Sequence, residues 1–365
     1  MASERPEGRD RPLTFPYKVV EGRTNYIDVF LPPTVTSEEP LHTVLYFHGG
    51  GLTVGNRNSW FPHWIFDRAL EAGYAFMSAD YSLLGPLTAH NVLEDIEDLF
   101  RFLVKDLNKE LATTEKTGLR IDPSSIVVSG SSAGGLCAYL AALHAVPKPK
   151  GILSLYGMGG NFLLPQYLAV KTEPFFIGRE ILDPDNFRQF LAPFPPDLQA
   201  TSDSNLLYHP QDHPSTPGWP ANPRMQLCRL YLQLGMFLDY YTGEHVPSLS
   251  TYLRTILESE SSNVDVPASA LRDAIPSRHI RLFPQFLVDS TFPPTFIIHG
   301  EQDSAVRVQE SHDLKELLDA AGVEAVLCVI EGQEHSFDYS AAAKAKFAPL
   351  FDEAFIFIRK IFHGV

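Results

Sequence analysis

The sequence predicts an α/β fold in which helices flank a mostly parallel central sheet. Short apolar runs that suit buried strands alternate along the chain with longer segments of helical periodicity. This alternation stops over residues 158–292, which are rich in proline and aromatic residues and are too many for a loop of a compact domain. We therefore expect a core formed by residues 15–157 and 293–365, with a helical lid inserted between the sixth and seventh strands.

The first half of the chain supplies six predicted strands. Residues 15–21 and 25–31 alternate apolar and polar side chains around Gly22, which predicts an opening hairpin. Four buried strands follow, at residues 42–47, 74–80, 126–128 and 151–156. Helical patterns lie between them, at residues 61–72, 91–107 and 136–143. The charged and proline-containing residues 1–14 are expected to be disordered.

The remaining elements lie in the inserted segment and after it. Helical patterns occur in the insertion at residues 224–241 and 248–258. The strand–helix alternation then resumes, with strands at 294–298 and 325–330 and helices at 308–321 and 340–362. Strands joined in this way by helices form parallel sheets that are covered on both faces.

Composition limits the classes of partner. The 365 residues carry a net charge of −15 without a run of Lys or Arg, so no nucleic-acid partner is expected. No segment has the length of a transmembrane helix, and the polar N-terminus lacks the apolar region of a secretory signal. Three widely spaced cysteines, Cys137, Cys228 and Cys328, lie in apolar settings, which indicates free thiols in a reducing compartment. A cytoplasmic location is the resulting expectation.

A serine stands at a predicted strand-to-helix turn. The segment Gly130-Ser131-Ser132-Ala133-Gly134 contains G-x-S-x-G directly between an apolar β-branched run and a helical segment. In this context the serine is exposed at the carboxyl end of the strand, and glycines permit the close approach of strand and helix. Taken alone, the motif also fits an ordinary Gly/Ser loop.

A glycine run follows an earlier predicted strand. His48-Gly49-Gly50-Gly51 comes directly after residues 42–47, and backbone N–H groups in such a run can stabilise a developing oxyanion. A flexible turn and a phosphate-binding loop are the alternatives. The phosphate reading is disfavoured because the G-K-S/T ending of a P-loop is absent from the sequence. We expect His48 to orient the loop and not to act in catalysis.

Three side chains suited to nucleophilic catalysis follow predicted strands. Ser132, Asp303 and His335 occur in this order, and the carboxyl ends of parallel strands meet at one edge of a sheet. Serine needs a base to become nucleophilic, histidine has a suitable pKa, and a carboxylate orients the imidazole. Other candidates remain for two of these roles: Glu301 and Asp338 for the acid, and His299 and His312 for the base.

Five motifs together resemble the hormone-sensitive-lipase-like branch of the α/β hydrolases, the α/β hydrolase fold-3 carboxylesterases. They are His48-Gly49-Gly50-Gly51, Asp80-Tyr81, Gly130-Ser131-Ser132-Ala133-Gly134-Gly135, His299-Gly300-Glu301-Gln302-Asp303 and Glu334-His335. The resemblance covers residues 20–362 and implies an α/β-hydrolase fold.

The resemblance also implies roles for individual residues. Ser132 would be the nucleophile, His335 the base and Asp303 its partner, with oxyanion donors at the backbone N–H groups of Gly50, Gly51 and Ala133. The chain departs from the family at Ser131, where Asp is usual, and at Ser82-Leu83-Leu84-Gly85-Pro86, where the family often has R-L-A-P-E. Its N-terminal extension is short and its insertion is long.

The expected function is hydrolysis of a small-molecule carboxylic ester through an acyl-enzyme, without a cofactor or a metal. Two alternatives remain open: an acyltransferase or lactone-forming enzyme of a biosynthetic pathway that uses the same acyl-enzyme, and a non-catalytic ligand receptor. Candidate pocket residues are aromatic side chains of the insertion: Trp219, Phe237, Tyr240 and Tyr241, together with Met236. The alternative for each of them is that it only packs the lid onto the core. Dimers through the terminal strand or helix are common on this fold, so a homodimer is a further expectation.

Overall fold

A computed structural model describes residues 11–33, 39–114, 118–259 and 268–364. Within these ranges eight strands form one sheet, in the order β1-β2-β4-β3-β5-β6-β7-β8. They are β1 (Leu13–Val20), β2 (Arg23–Phe30), β3 (Leu41–Phe47), β4 (Ala75–Ala79), β5 (Ile121–Ser131), β6 (Gly151–Leu155), β7 (Thr295–Gly300) and β8 (Ala325–Ile330). The pairs β1–β2 and β2–β4 are antiparallel and the other pairs are parallel. The predicted mostly parallel sheet is therefore confirmed.

Helices follow the strands in the predicted alternation. Those outside the insertion are α1 (His63–Glu71), α2 (Ala89–Lys105), α3 (Leu107–Ala112), α4 (Ala133–His144), α10 (Gln309–Ala320), α11 (Ala343–Lys346) and α12 (Ala348–His363). The segment between β6 and β7 contains α5 (Pro165–Leu168), α6 (Arg224–Gln233), α7 (Phe237–Thr242), α8 (Leu249–Ser259) and α9 (Ala268–Ala274). Short 3₁₀ helices lie at Pro184–Phe190, Ser277–Leu282, Pro284–Phe286 and Phe337–Tyr339.

Both faces of the sheet are buried. Successive residues of β3 belong to two different cores: Leu45 and Phe47 pack on one side, and Val44 and Tyr46 pack on the other. The first core includes buried residues of α2, α4 and the inserted segment, and the second includes residues of α1 and α12. Such two-sided burial explains why these strands are continuously apolar instead of alternating with polar residues.

Several boundaries differ from the sequence prediction; β5, for example, is longer than the predicted strand at residues 126–128. Strand β1 begins at Leu13, so the last two residues of the segment 1–14 are ordered in a strand, whereas residues 1–10 lie outside the described residues. The predicted helix 224–241 is two helices, because Gly235 has a φ of +60° between α6 and α7. The predicted helix 340–362 is likewise divided, into α11 and α12. Residues 260–267 of the predicted insertion are not among those described.

Within the described ranges, the chain contains neither a membrane-spanning helix nor a metal-binding cluster. None of the helices there combines the length and apolar character that crossing a membrane requires. In the same part of the chain, no three or more His, Cys, Asp or Glu side chains are grouped as a metal site would need.

Candidate active site

Ser132 occupies a sharp turn between β5 and α4. Its φ of 53° and ψ of −120° are unusual for a residue with a side chain. The backbone holds this conformation from both sides, since the Ser132 N–H donates to the Leu155 carbonyl at 2.9 Å and the Ser132 carbonyl accepts from Met158 and Gly135. Among the described residues, the Ser132 hydroxyl has no hydrogen-bond partner. The strained backbone thus presents a free hydroxyl at the carboxyl end of the sheet.

Two glycines make this turn sterically possible. A Cβ on Gly130 would lie 2.0 Å from the Gly134 carbonyl oxygen, and one on Gly134 would lie 2.0 Å from the Phe47 carbonyl oxygen. No side chain fits at either distance, so β5, α4 and the end of β3 approach one another only with glycine at both positions.

The glycine loop after β3 lies directly beside Ser132. A Cβ on Gly49 would be 3.5 Å from the Ser132 Cβ, which brings the loop next to the serine. Gly50 and Gly51 have φ values of +106° and +61°, and in the described part of the chain no hydrogen bond satisfies their N–H groups. Ala133 is the first residue of α4, so its N–H also lacks an acceptor within the helix. Among the residues that the structure describes, the three predicted donors therefore have no acceptor.

His48 contacts the glycine loop from the buried side. It is fully buried, its ring stacks on Tyr81 at 4.3 Å, and its Nδ1 donates to the Gly49 carbonyl at 2.7 Å. Burial lowers the pKa of His48 to about 4, against the effect of the Gly49 hydrogen bond, so the ring is neutral near pH 7. The Tyr81 hydroxyl donates to the His48 carbonyl at 2.7 Å. These contacts suit an orienting residue.

His335 and Asp303 meet at the ends of β8 and β7. The His335 Nδ1 lies 2.6 Å from the Asp303 Oδ2, and the Asp303 Oδ1 accepts from the backbone N–H groups of Ala305 and Val306 at 2.9 and 2.8 Å. Burial lowers the pKa of His335, but the Asp303 carboxylate outweighs it, so that this pKa is raised above its ordinary value. Because a carboxylate engages Nδ1, Nε2 is the ring nitrogen left for proton transfer.

The other candidate acids and bases make different contacts. Glu301 is exposed and accepts from the Gly332 N–H, and Asp338 accepts from the Tyr156 hydroxyl and the Trp64 indole. His299 is buried, with its Nδ1 2.6 Å from the Ser311 Oγ, and His312 is exposed on α10. His299 also lies 3.2 Å from the Asp303 Oδ2, so it helps to hold that carboxylate.

A cavity of about 440 Å³ contains Ser132 and His335 in its lining. The glycine loop forms one side, through Gly49, Gly50 and Gly51. The inserted segment forms much of the rest. Its lining residues are Met158, Tyr167, Phe176, Ile177, Arg179, Tyr208, Met225, Cys228, Arg229 and Leu232. The predicted nucleophile, base and glycine loop therefore share one cleft that the insertion borders.

The four predicted aromatic pocket residues are not part of this lining. Phe237 and Tyr241 are fully buried in the core between the insertion and the sheet, where both contact Phe162. Tyr240 stacks on Tyr231 at 3.6 Å, and Trp219 is 52% exposed. Met236 packs against the same core. Three of the aromatic residues thus pack in the buried core cluster, against Phe162 and Tyr231 of the insertion, and not in the cavity lining.

Helix α6 supplies four of the lining residues that sequence reasoning missed. Met225, Cys228, Arg229 and Leu232 recur at intervals of three or four residues and face the cavity together. Cys228 lies against the glycine loop, since a Cβ on Gly51 would come within 2.3 Å of the Cys228 Cβ. The helical pattern of α6 was visible in the sequence, but it does not show which face of the helix borders the cavity.

Comparison with protein families and solved structures identifies relatives of this architecture. A family model described as BD-FAE matches residues 27–151. The structure is similar to that of the thermophilic carboxylesterase EstE1 from a metagenomic library, with a TM-score of 0.58, 17% identity, and coverage of 99% of this chain and 91% of that chain. At this identity the likeness establishes the α/β-hydrolase fold.

Two sequence relatives differ greatly in length. The chain is 26% identical to "Probable carboxylesterase M8" of Phoma sp., over 90% of both proteins. It is also 26% identical to the non-reducing polyketide synthase ausA of Aspergillus calidoustus, over 85% of this chain. It spans only 12% of the length of that synthase.

Proposed function

We propose, from the premise that this chain is an α/β hydrolase acting on carboxylic esters, that Ser132, His335 and Asp303 form its catalytic triad. The BD-FAE match, the carboxylesterase relative and the esterase fold of EstE1 support the premise, and the hormone-sensitive-lipase-like branch is consistent with them. The observation that carries the proposal is the 2.6 Å contact between His335 Nδ1 and Asp303 Oδ2, at a cavity that also contains Ser132.

The acylation step follows from this arrangement. The Ser132 Oγ attacks the ester carbonyl while its proton passes to the His335 Nε2. The carbonyl oxygen becomes an oxyanion, which the N–H groups of Gly50, Gly51 and Ala133 stabilise. When the carbonyl re-forms, the bond to the alcohol breaks, and His335 returns its proton to the leaving alkoxide. Asp303 keeps Nε2 directed at the reacting atoms and stabilises the imidazolium.

The deacylation step repeats this sequence with water as the nucleophile. His335 takes a proton from water, the hydroxide attacks the acyl carbonyl, and the same N–H groups hold the oxyanion. Collapse of the intermediate breaks the acyl–oxygen bond to Ser132, and His335 returns the proton to the serine. One ester and one water thus give one acid and one alcohol.

A second candidate function is acyl transfer or lactone formation. It uses the same acyl-enzyme but an alcohol in place of water. The observation that favours it is the similarity to a segment of polyketide synthases, which are biosynthetic enzymes by name. Product analysis with and without an acceptor alcohol separates the two functions, since hydrolysis gives a free acid, whereas transfer gives a new ester and lactone formation gives a cyclic ester.

The test is active-site labelling with a fluorophosphonate, followed by peptide mapping and measurement of p-nitrophenyl ester hydrolysis. We expect one label per chain on Ser132 and none on Ser132→Ala. Ser131→Ala is the matched variant, because Ser131 also lines the cavity but donates to or accepts from the Tyr46 hydroxyl at 2.7 Å; its label should remain on Ser132. A label on another residue, or full turnover by Ser132→Ala, would refute the assignment.

A further inference from the structure

Two arginines lie in the lining of the cavity that contains Ser132. Arg229 is on the cavity-facing side of α6, and Arg179 precedes this helix in the inserted segment. Among the described residues that line the cavity there is no Asp or Glu. The side chains that line the cavity therefore carry positive charge from the two arginines, although the chain as a whole has a net charge of −15.

Arg229 is buried but largely unsatisfied. It is 8% exposed, and its side chain donates one hydrogen bond, to the Gln226 Oε1 at 3.0 Å. A guanidinium has five N–H donors, and within the described residues no carboxylate lies within ion-pair distance of Arg229 or Arg179. Arg224, earlier on the same helix, is also buried but donates to three backbone carbonyls. Arg224 is therefore a structural arginine, whereas Arg229 keeps N–H donors that are free to bind a ligand.

The local electrostatics favour an anion beside this pair. Burial and then the positive charge of Arg179 lower the pKa of Arg229 to about 10, with Glu180 acting in the opposite direction. Arg229 remains protonated near pH 7, and within the described residues no carboxylate forms an ion pair with this buried charge. A carboxylate or phosphate would accept hydrogen bonds from the guanidinium and offset the repulsion between the two arginines.

We propose that Arg229 and Arg179 bind an anionic group of the substrate, a carboxylate or a phosphate, that is separate from the ester bond attacked by Ser132. The substrate class is therefore an anionic ester. This inference rests on the proposed function, because it assigns a specificity-determining pair to the same site. Arg229 supplies the buried contact, and Arg179, which is exposed, supplies a second one at the rim.

The kinetic test compares two esters that differ in charge: p-nitrophenyl hydrogen glutarate and its neutral methyl ester. We expect wild type to prefer the anionic ester in kcat/KM. Arg229→Gln should lower kcat/KM for the anionic ester about 10- to 100-fold and leave the value for the neutral ester within a few-fold, and Arg179→Gln should have a smaller effect of the same kind. Arg188→Gln is the matched control, since Arg188 is an exposed arginine of the same segment that pairs with Asp185.

Inhibition of neutral-ester hydrolysis distinguishes the two anions. Stronger competition by glutarate than by inorganic phosphate assigns a carboxylate, and the reverse assigns a phosphate. No preference of wild type for the anionic ester, or an equal loss for both esters in Arg229→Gln, would overturn the inference while leaving the proposed hydrolase intact.

A binding measurement separates this inference from the proposed chemistry. Binding of glutarate or phosphate to the Ser132→Ala variant can be measured by calorimetric titration, because the measurement does not depend on ester hydrolysis. We expect Ser132→Ala to bind one of these anions and the double variant Ser132→Ala/Arg229→Gln not to bind it. This result supports anion binding by the arginine pair even if neither ester is hydrolysed and no serine is labelled. Absence of binding of both anions would overturn the arginine pair even if hydrolysis is rapid.

Discussion

His335 Nδ1 lies 2.6 Å from Asp303 Oδ2, although 32 positions separate the two residues in the sequence. The other oxygen of the carboxylate is held by two backbone N–H groups, and His299 lies 3.2 Å from Oδ2. Burial raises the pKa of Asp303, but His335 and His299 outweigh it and lower this pKa below its ordinary value. The carboxylate is therefore charged and fixed in orientation, as a partner of an imidazole base must be.

Asp303→Asn should lower kcat about 10²- to 10⁴-fold with little loss of folding. The amide keeps the shape of the side chain but removes the charge that stabilises the imidazolium, and its NH₂ group can favour the wrong tautomer of His335. The measurement is p-nitrophenyl ester hydrolysis with circular dichroism as the check on folding. Glu301→Gln is the control, because Glu301 is exposed and the kcat of this variant should remain near that of wild type. A larger loss of kcat in Glu301→Gln than in Asp303→Asn would contradict the assignment of Asp303 as the partner of His335.

The pH profile of kcat/KM should have its acidic limb above pH 6.5, the ordinary pKa of histidine. The base must be neutral to accept the Ser132 proton, so activity falls as the pH drops through the raised pKa of His335. Asp303→Asn removes the main cause of the raised His335 pKa and should move the midpoint of the acidic limb to lower pH. A profile that is flat between pH 5 and 8 would argue against a histidine base.

The sheet and the neighbourhood of Ser132 could be predicted because their signals are local. A β-branched run followed by G-x-S-x-G and a helical segment describes the turn at Ser132 within about 20 residues of sequence. Parallel strands bring their carboxyl ends to one edge, which explains why Asp303 and His335 could be expected near each other. These inferences needed only periodicity, glycine chemistry and the order of strands.

The composition of the cavity could not be predicted in this way. Phe237 and Tyr241 have the aromatic character of pocket residues, but the break at Gly235 turns α7 so that both pack on Phe162 in the core. Which face of α6 borders the cavity depends on the approach of Cys228 to Gly51. That contact joins segments far apart in the chain, so only tertiary packing selects Arg229 as a lining residue.

Gly51→Ala should lower kcat about 10²- to 10³-fold, as the loss of an oxyanion donor does. Gly51 has a φ of +61°, and the new Cβ would come within 2.3 Å of the Cys228 Cβ, so the loop must shift and its N–H groups move. The measurement is kcat for a short p-nitrophenyl ester.

Gly22→Ala is the matched control for this loop substitution. Gly22 also has a positive φ, of +79°, but a Cβ there meets nothing within 4 Å, so the variant should lose some stability and keep its activity. Equal losses of activity in both variants would mean that general destabilisation, and not the position of the oxyanion donors, explains the effect at Gly51.

Glu310 is a fully buried carboxyl that joins α10 to the inserted segment. Its Oε1 accepts from the Tyr167 hydroxyl at 2.5 Å and its Oε2 accepts from the Gly159 N–H at 2.6 Å. Burial raises its pKa to about 8, although these hydrogen bonds act in the opposite direction. Tyr167 lines the cavity, so Glu310 supports one wall of the candidate site from behind.

Glu310→Gln should weaken the dependence of stability on pH between about 4.3, the ordinary pKa of glutamate, and 8. Over this range the folded chain binds more protons at residue 310 than the unfolded chain does, so Glu310 makes the free energy of unfolding fall as the pH rises. Glutamine does not titrate and removes this contribution. Calorimetric Tm values between pH 5 and 8 should therefore fall less steeply in the variant. Glu316→Gln, at an exposed glutamate of the same helix, should keep the wild-type slope, and equal slopes in all three proteins would show that Glu310 does not titrate in this range.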